Sequence, residues 1–161
     1  MGNLKIEFYL KLIFLISLIS IISVYFIEYV LGHQPCNLCL IERIPYGLSL
    51  ILITLNYFFK KNEKFIILLL ILTFFFSFAI SVYHYGIEQG LFEESAVCGL
   101  KNTTGIISKE EILKQLQEKS VSCKDVTFRI FGLSLTSINI LLSLILVTLL
   151  TKIYISYEKN K

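Results

Sequence analysis

The sequence predicts an all-α membrane protein: a four-transmembrane-helix bundle with a short amphipathic helix in its second outer loop. Three observations predict it. The 161 residues are 55% hydrophobic with a mean hydropathy of +0.74, where soluble domains run at about 45–50% apolar. The apolar residues fall into four runs, at about 12–31, 40–59, 65–83 and 130–153. The charged residues, 17% of the chain against about 25% in soluble domains, gather between and beyond those runs. One membrane domain spanning 1–161 accounts for the whole length.

Each run is long enough to cross the hydrocarbon core, which takes about 20 apolar residues at 1.5 Å per residue. Inside lipid every backbone N–H and C=O must be paired within its own segment, so each run is predicted as a helix. The first follows Lys5 and Lys11, as a signal peptide would. Its apolar stretch is longer than the usual 7–15 residues and no A-x-A site follows, so it is read as a retained span. In the fourth run Gly132, Thr136, Asn139 and Ser143 recur at i, i+4, i+7 and i+11. Small and polar residues on one stripe let helices approach closely, so the stripe is read as packing.

Lys and Arg in short loops mark the cytoplasmic side. Lys5 and Lys11, then Lys60, Lys61 and Lys64, then Lys152, Lys159 and Lys161 all fall on one side of four spans. Both termini are therefore expected in the cytoplasm. The outer loops are expected at about 32–39, which carries no Lys or Arg, and at about 86–129. In the longer loop Ser108 and Glu111 have the capping-box spacing. A short helix from there to about Lys119 would set Ile112, Leu113 and Leu116 on one face, against the bundle or the headgroups. The net charge of +3 is mild, and no basic stripe interleaves the 13 Phe and 9 Tyr. No nucleic-acid partner is expected.

The four cysteines, Cys36, Cys39, Cys98 and Cys123, all fall in or beside the outer loops, where disulfides persist. An even count suggests two pairs, and four cysteines allow three connectivities. Cys98 and Cys123 share the long loop; as a structural staple they would need no further role. Cys36 and Cys39 form a CxxC. A bridge closing so short a loop beside a membrane-held helix removes little chain entropy, so the pair is read as redox chemistry. Zinc would need further ligands from His33, His84, Cys98 or Cys123, and Arg43 would repel the cation; no metal is expected. Arg43 lies four residues after Cys39, on one helix face with it. Its charge and the helix N-terminus both favour a thiolate at Cys39. A charge at this depth is a functional flag; snorkelling, or pairing with Glu28 or Glu42, is the bland alternative, Glu42 being a poor partner because a sequence neighbour points about 100° away on a helix.

PCNLCLIERIPYG at 35–47, YHYGIEQG at 83–90, Cys98, and SCKDVTFRIFGLSLTSIN from Ser122 together resemble the DsbB family of membrane disulfide-bond formation proteins. The resemblance runs over nearly the whole chain. It implies a four-helix bundle that binds a quinone, ubiquinone or menaquinone, at its outer end. It implies that Cys36 and Cys39 pass electrons to the quinone, with Cys39 as the thiolate against the ring and Arg43 supporting it. It implies that Cys98 forms a mixed disulfide with a DsbA-like thioredoxin-fold oxidase and that Cys123 completes the pair. It also points to His84 as a residue near the quinone. The expected function is reoxidation of that soluble oxidase, with electrons passed to the quinone. The location implied is the bacterial inner membrane, with the cysteine loops in the periplasm. Two other classes share the topology. A reductase of vitamin K epoxide type carries its CxxC late in the chain. A four-span protein with structural disulfides leaves the CxxC and Arg43 without a role.

Overall fold

The computed structural model describes residues 2–58, 63–94, 98, 122–124, 128–130 and 132–159. Helix α1 spans Gly2–Tyr29, α2 Asn37–Phe58 and α3 Glu63–Glu88; a hairpin of β1 (Arg129–Ile130) and β2 (Leu133–Ser134) leads into α4, Leu135–Lys159. All four helices are long and apolar enough to cross a membrane, so the chain is an all-α, multi-pass membrane protein. The expected amphipathic helix at 108–119 lies outside the described residues.

Large apolar side chains such as Leu15, Ile22, Ile51, Phe75 and Ile145 are exposed along the helices, as a lipid-facing surface requires. Lipid removes the hydrophobic drive for helices to associate, so packing and polar contacts between helices must hold the bundle. Both are present. Ile67, Leu70, Phe74, Leu146 and Leu150 are fully buried in one apolar cluster that also takes in Ile13 and Tyr46. Ser17 meets Ser49 at 2.9 Å and Ser77 meets Ser143 at 3.0 Å, all four fully buried. These small residues let α1 approach α2, and α3 approach α4. Helix α3 packs most extensively on α4, and α2 bridges α3 and α1, whereas α1 barely touches α4.

Three helix boundaries differ from the sequence expectation, and each difference shapes the site. Helix α2 starts at Asn37 rather than about 40, which makes Cys36 its cap. Helix α3 runs on to Glu88 rather than stopping near 83. The apolar run ends there, but buried His84 and Glu88 find polar partners inside the bundle and the helix continues. It ends in a Schellman motif: Leu91 N–H donates to the Gly86 carbonyl at 2.8 Å and Gly90 N–H to that of Ile87 at 3.0 Å. Gly90 takes the left-handed φ of 74° that this motif needs. The fourth helix begins at Leu135, not 130, because residues 129–134 form the hairpin, pairing Arg129 with Ser134 and Ile130 with Leu133. Gly132 turns it at φ 83°, so this member of the small-residue stripe is not in the helix. Ser134 then caps α4, its Oγ accepting the Ser137 N–H at 3.2 Å.

Candidate active site

Cys36 stands at the N-cap of α2. Its Sγ accepts the N–H of Cys39 at 3.3 Å, as a capping oxygen would, and the two Sγ atoms are 2.8 Å apart as unbridged thiols. The helix N-terminus was expected to favour a thiolate at Cys39. The earlier start of α2 directs that N–H to Cys36 instead. The Cys36 thiol is held below the ordinary thiol value, first by the hydrogen bond from Cys39 and then by His84, against the opposing effect of burial.

His84 is 1% exposed and comes from the extended end of α3. Its Nε2 lies 3.5 Å from Cys36 Sγ and its Nδ1 2.9 Å from Glu42 Oε1. With Nδ1–H donated to the carboxylate, Nε2 is left facing the sulfur. Sulfur, imidazole and carboxylate thus stand in the order of a nucleophile, its base and the group that orients the base. Glu42 Oε2 accepts Asn139 Nδ2 at 3.0 Å; the same amide donates to Ser81 Oγ at 2.7 Å and accepts the Tyr46 hydroxyl. Thr136 lies 3.3 Å from His84 Nδ1 and donates to Glu88 Oε1 at 2.5 Å. Glu88 Oε1 is 4.0 Å from His84 Nε2.

Two of the stripe residues, Thr136 and Asn139, therefore hold the site, while Ser143 packs on Ser77. An Asn139→Leu chain leaves Glu42 and Tyr46 without their partner and is expected to lose about 1–3 kcal/mol. Thermal unfolding in detergent against wild type checks this.

Cys98 and Cys123 are disulfide-bonded. They are 2% exposed and share a buried cluster with Cys36, Leu38 and Ile87, against which Cys39 and Ile41 pack. Glu94 Oε1 takes the Ser122 hydroxyl and the Lys124 N–H, and so fastens the Cys123 segment to the end of α3. All four cysteines thus meet at one end of the bundle.

Beside them is a cavity of about 310 Å³, set where α1 and α4 part. Ile19, Val24 and Ile27 of α1 and Ile138 and Leu142 of α4 give it apolar walls. His33, Cys39, Glu42, Arg43 and Tyr46 form its polar end, and Phe128 and Ile130 cover it from the hairpin side. Phe128 also packs on His33, ring centroids 5.0 Å apart. A pocket with apolar walls and a few convergent polar groups is the form of a small-molecule site. Arg43 lines it, but its guanidinium is paired with Glu28 at 2.5 Å and lies 5.2 Å over the Tyr25 ring, both on α1. His84 is not among the lining residues; it stands behind Glu42.

The donor atoms of Cys36, Cys39 and His84 lie within 4.8 Å of one another. Two thiolates on one tetrahedral zinc at about 2.3 Å stand about 3.8 Å apart. The 2.8 Å between these sulfurs is closer and suits sulfurs that exchange a bond.

Sequence reasoning missed Glu42, Thr136, Asn139 and Tyr46 as site residues. Two signals were available: Glu42 is a carboxylate inside an apolar run, and such residues are functional flags; Thr136 and Asn139 stand in the polar stripe of the fourth run, which reads as packing. Nothing local marked Tyr46.

The DsbB model, described as "Disulfide bond formation protein DsbB", matches residues 7–153. An uncharacterised protein of Rickettsia prowazekii (strain Madrid E) is 31% identical over 150 residues, covering 91% of this chain and 86% of that protein. No solved structure matches the chain. A CxxC on a helix cap, a second cysteine pair packed on it, four spans and a family match over nearly the full length converge: the chain belongs to the DsbB family of membrane disulfide-forming oxidoreductases.

Proposed function

We propose that the chain reoxidises a soluble DsbA-like thioredoxin-fold oxidase outside the cytoplasm and passes the electrons to a membrane quinone. The observation that carries this reading is the single buried cluster holding Cys36, Cys98 and Cys123, with Cys39 packed between that cluster and the cavity. One pair can exchange with the other there, and only Cys39 of the four borders the cavity.

The chemistry runs as thiol–disulfide exchange. A thiolate of the reduced partner attacks Cys98; the partner leaves oxidised, and Cys98 and Cys123 are left as thiols. The Cys123 thiolate attacks Cys36 Sγ of the oxidised CxxC, and Cys39 leaves toward the cavity. Cys98 then attacks Cys123, the loop bridge re-forms, and Cys36 departs as a thiolate. The contacts that hold Cys36 low make it a good leaving group, since a lower thiol pKa leaves faster.

A quinone, when bound, supplies a two-electron acceptor. The cavity's fit supports one: apolar walls for a ring and its tail, and a polar end with Cys39, Arg43 and Tyr46. Arg43, held by Glu28 and Tyr25, is a fixed positive edge there. The lysine distribution supports cytoplasmic termini and a periplasmic cysteine end.

The test is the thiol state of Cys98 and Cys123 in cells, by alkylation trapping of wild type and Cys36→Ser. The expected outcome is accumulation of both loop cysteines as thiols in the variant. A loop pair that stays oxidised overturns the relay and makes Cys98–Cys123 a staple. Adding ubiquinone or menaquinone analogues to the purified reduced protein identifies the acceptor.

A further inference from the structure

Oxidising a dithiol moves two protons as well as two electrons, and the buried cluster gives the two cysteines unequal exits. Cys39 borders the cavity, so its proton needs no carrier. Cys36 does not line the cavity; it is 5% exposed, packed in the cluster with Cys98, Cys123, Leu38 and Ile87. Its side-chain contacts are Cys39 and His84. His84 is also closed off from the cavity. Its second nitrogen, though, is bound to Glu42, and Glu42 borders the cavity beside Cys39 and Tyr46.

We propose that Glu42 is the carrier that brings the Cys36 proton to the cavity, through His84. The inference rests on the quinone reading for the identity of the acceptor. In the step, the Cys36 thiolate and Cys39 form an S–S bond, the Cys39 S–H bond breaks, and two electrons pass to the quinone. The proton that Cys36 gave up sits on His84 Nε2; the Nδ1 proton goes to Glu42 Oε1, and the carboxyl delivers a proton into the cavity. The Cys39 proton enters the cavity directly, so the quinone leaves as the hydroquinone and the chain as the disulfide.

Orienting His84 alone does not require Glu42 to border the cavity as well. A carboxylate in a spanning helix is costly, and the neighbouring cation, Arg43, is turned to Glu28 instead. Its partners are an imidazole and an amide. Asn139 fixes one oxygen and leaves the other on His84. The second carboxylate near His84, Glu88, does not itself line the cavity; Thr136, which holds it, does, but a hydroxyl is a far weaker base than a carboxylate, so Glu42 is the carboxylate that joins His84 to the cavity.

The test uses the full chain in detergent with Glu42→Gln, which keeps the shape and loses the proton site, and Glu42→Asp, which keeps the carboxyl. Three quantities are read: single-turnover reduction of a short-chain ubiquinone by the pre-reduced protein, affinity of the oxidised protein for that quinone, and the Cys36 thiolate absorbance against pH in quinone-free protein carrying Cys39→Ser, Cys98→Ser and Cys123→Ser, in which Cys36 is the one thiol. His84 faces Cys36 in that titration, with Glu42 and Glu88 on the imidazole behind it. Glu42→Gln is expected to slow the turnover by about 10²-fold, the scale of lost proton transfer. Quinone affinity is expected to stay within about two-fold, because a transfer step is lost rather than binding. The Cys36 titration is expected to move to higher pH, since the carboxylate that fixes His84 against Cys36 is lost. Glu42→Asp is expected to recover most of the rate. An unchanged rate, a rate loss matched by lost affinity, or an unmoved titration in Glu42→Gln each overturns the proposal. A wild-type protein that reduces no quinone overturns the acceptor reading alone; the titration shift then still decides the Cys36–His84–Glu42 path.

Discussion

A Cys39→Ser chain is expected to lose quinone reduction by about three orders of magnitude or more, the scale on which removing a covalent participant acts. Cys39 is the cysteine that lines the cavity and the partner of Cys36 at 2.8 Å. Without it Cys36 cannot close the CxxC bridge, and no electron pair can leave toward the cavity as that disulfide forms. Cys36 keeps its capping contact and its place against Cys98 and Cys123. The variant should therefore stall with Cys36 bonded to a loop cysteine, a species visible as a shifted, reductant-sensitive band on non-reducing gels. Stability is expected to be unaffected, since serine preserves the size of the side chain at a half-buried position. Wild-type rates in this variant would remove Cys39 from the electron path.

The second large effect is expected at His84. The imidazole holds Cys36 on one side and Glu42 on the other. In His84→Ala the thiolate form of Cys36 loses that support, though it keeps the hydrogen bond from position 39. Cys36 titrates as an acid held below its ordinary value, so in wild type the thiolate persists to lower pH than in a free thiol. Removing His84 moves this limb up toward the free-thiol value of about 8.5. Exchange at neutral pH should fall by about 10²-fold, in the range for a lost acid–base group. It should recover as the pH is raised. A packing defect would lower the rate at every pH, so the shape of the profile separates chemistry from structure. The variant also leaves Glu42 Oε1 unpartnered and opens space at a fully buried position, which is expected to cost about 1–3 kcal/mol. His84→Gln, which can still donate to Glu42, should regain the stability and not the pH profile.

The sequence by itself determined the four spans, because lipid imposes one requirement on every segment: about 20 apolar residues with their backbone paired internally. A run such as 65–83 meets it without reference to any neighbour. The CxxC and its arginine were equally legible, being local in the chain, and so was the prospect that Cys98 and Cys123 share a loop.

Tertiary structure decided what those residues touch. Arg43 is four residues from Cys39, yet its partners Glu28 and Tyr25 come from α1, and spacing along one helix carries no record of the next. Glu42 reads in sequence as the neighbour of Arg43 and points instead to His84, 42 residues on, and Asn139, 97 residues on. Apolar counts ended the third helix near 83 and began the fourth near 130. Buried polar partners extended the one to Glu88, and a glycine hairpin delayed the other to Leu135. The same shift of α2 by one turn gave the capping N–H to Cys36 rather than to Cys39. A hydropathy pattern reports the cost of meeting lipid. A buried polar group in this bundle is placed by what answers it across the helices, and that answer exists only once the helices have packed.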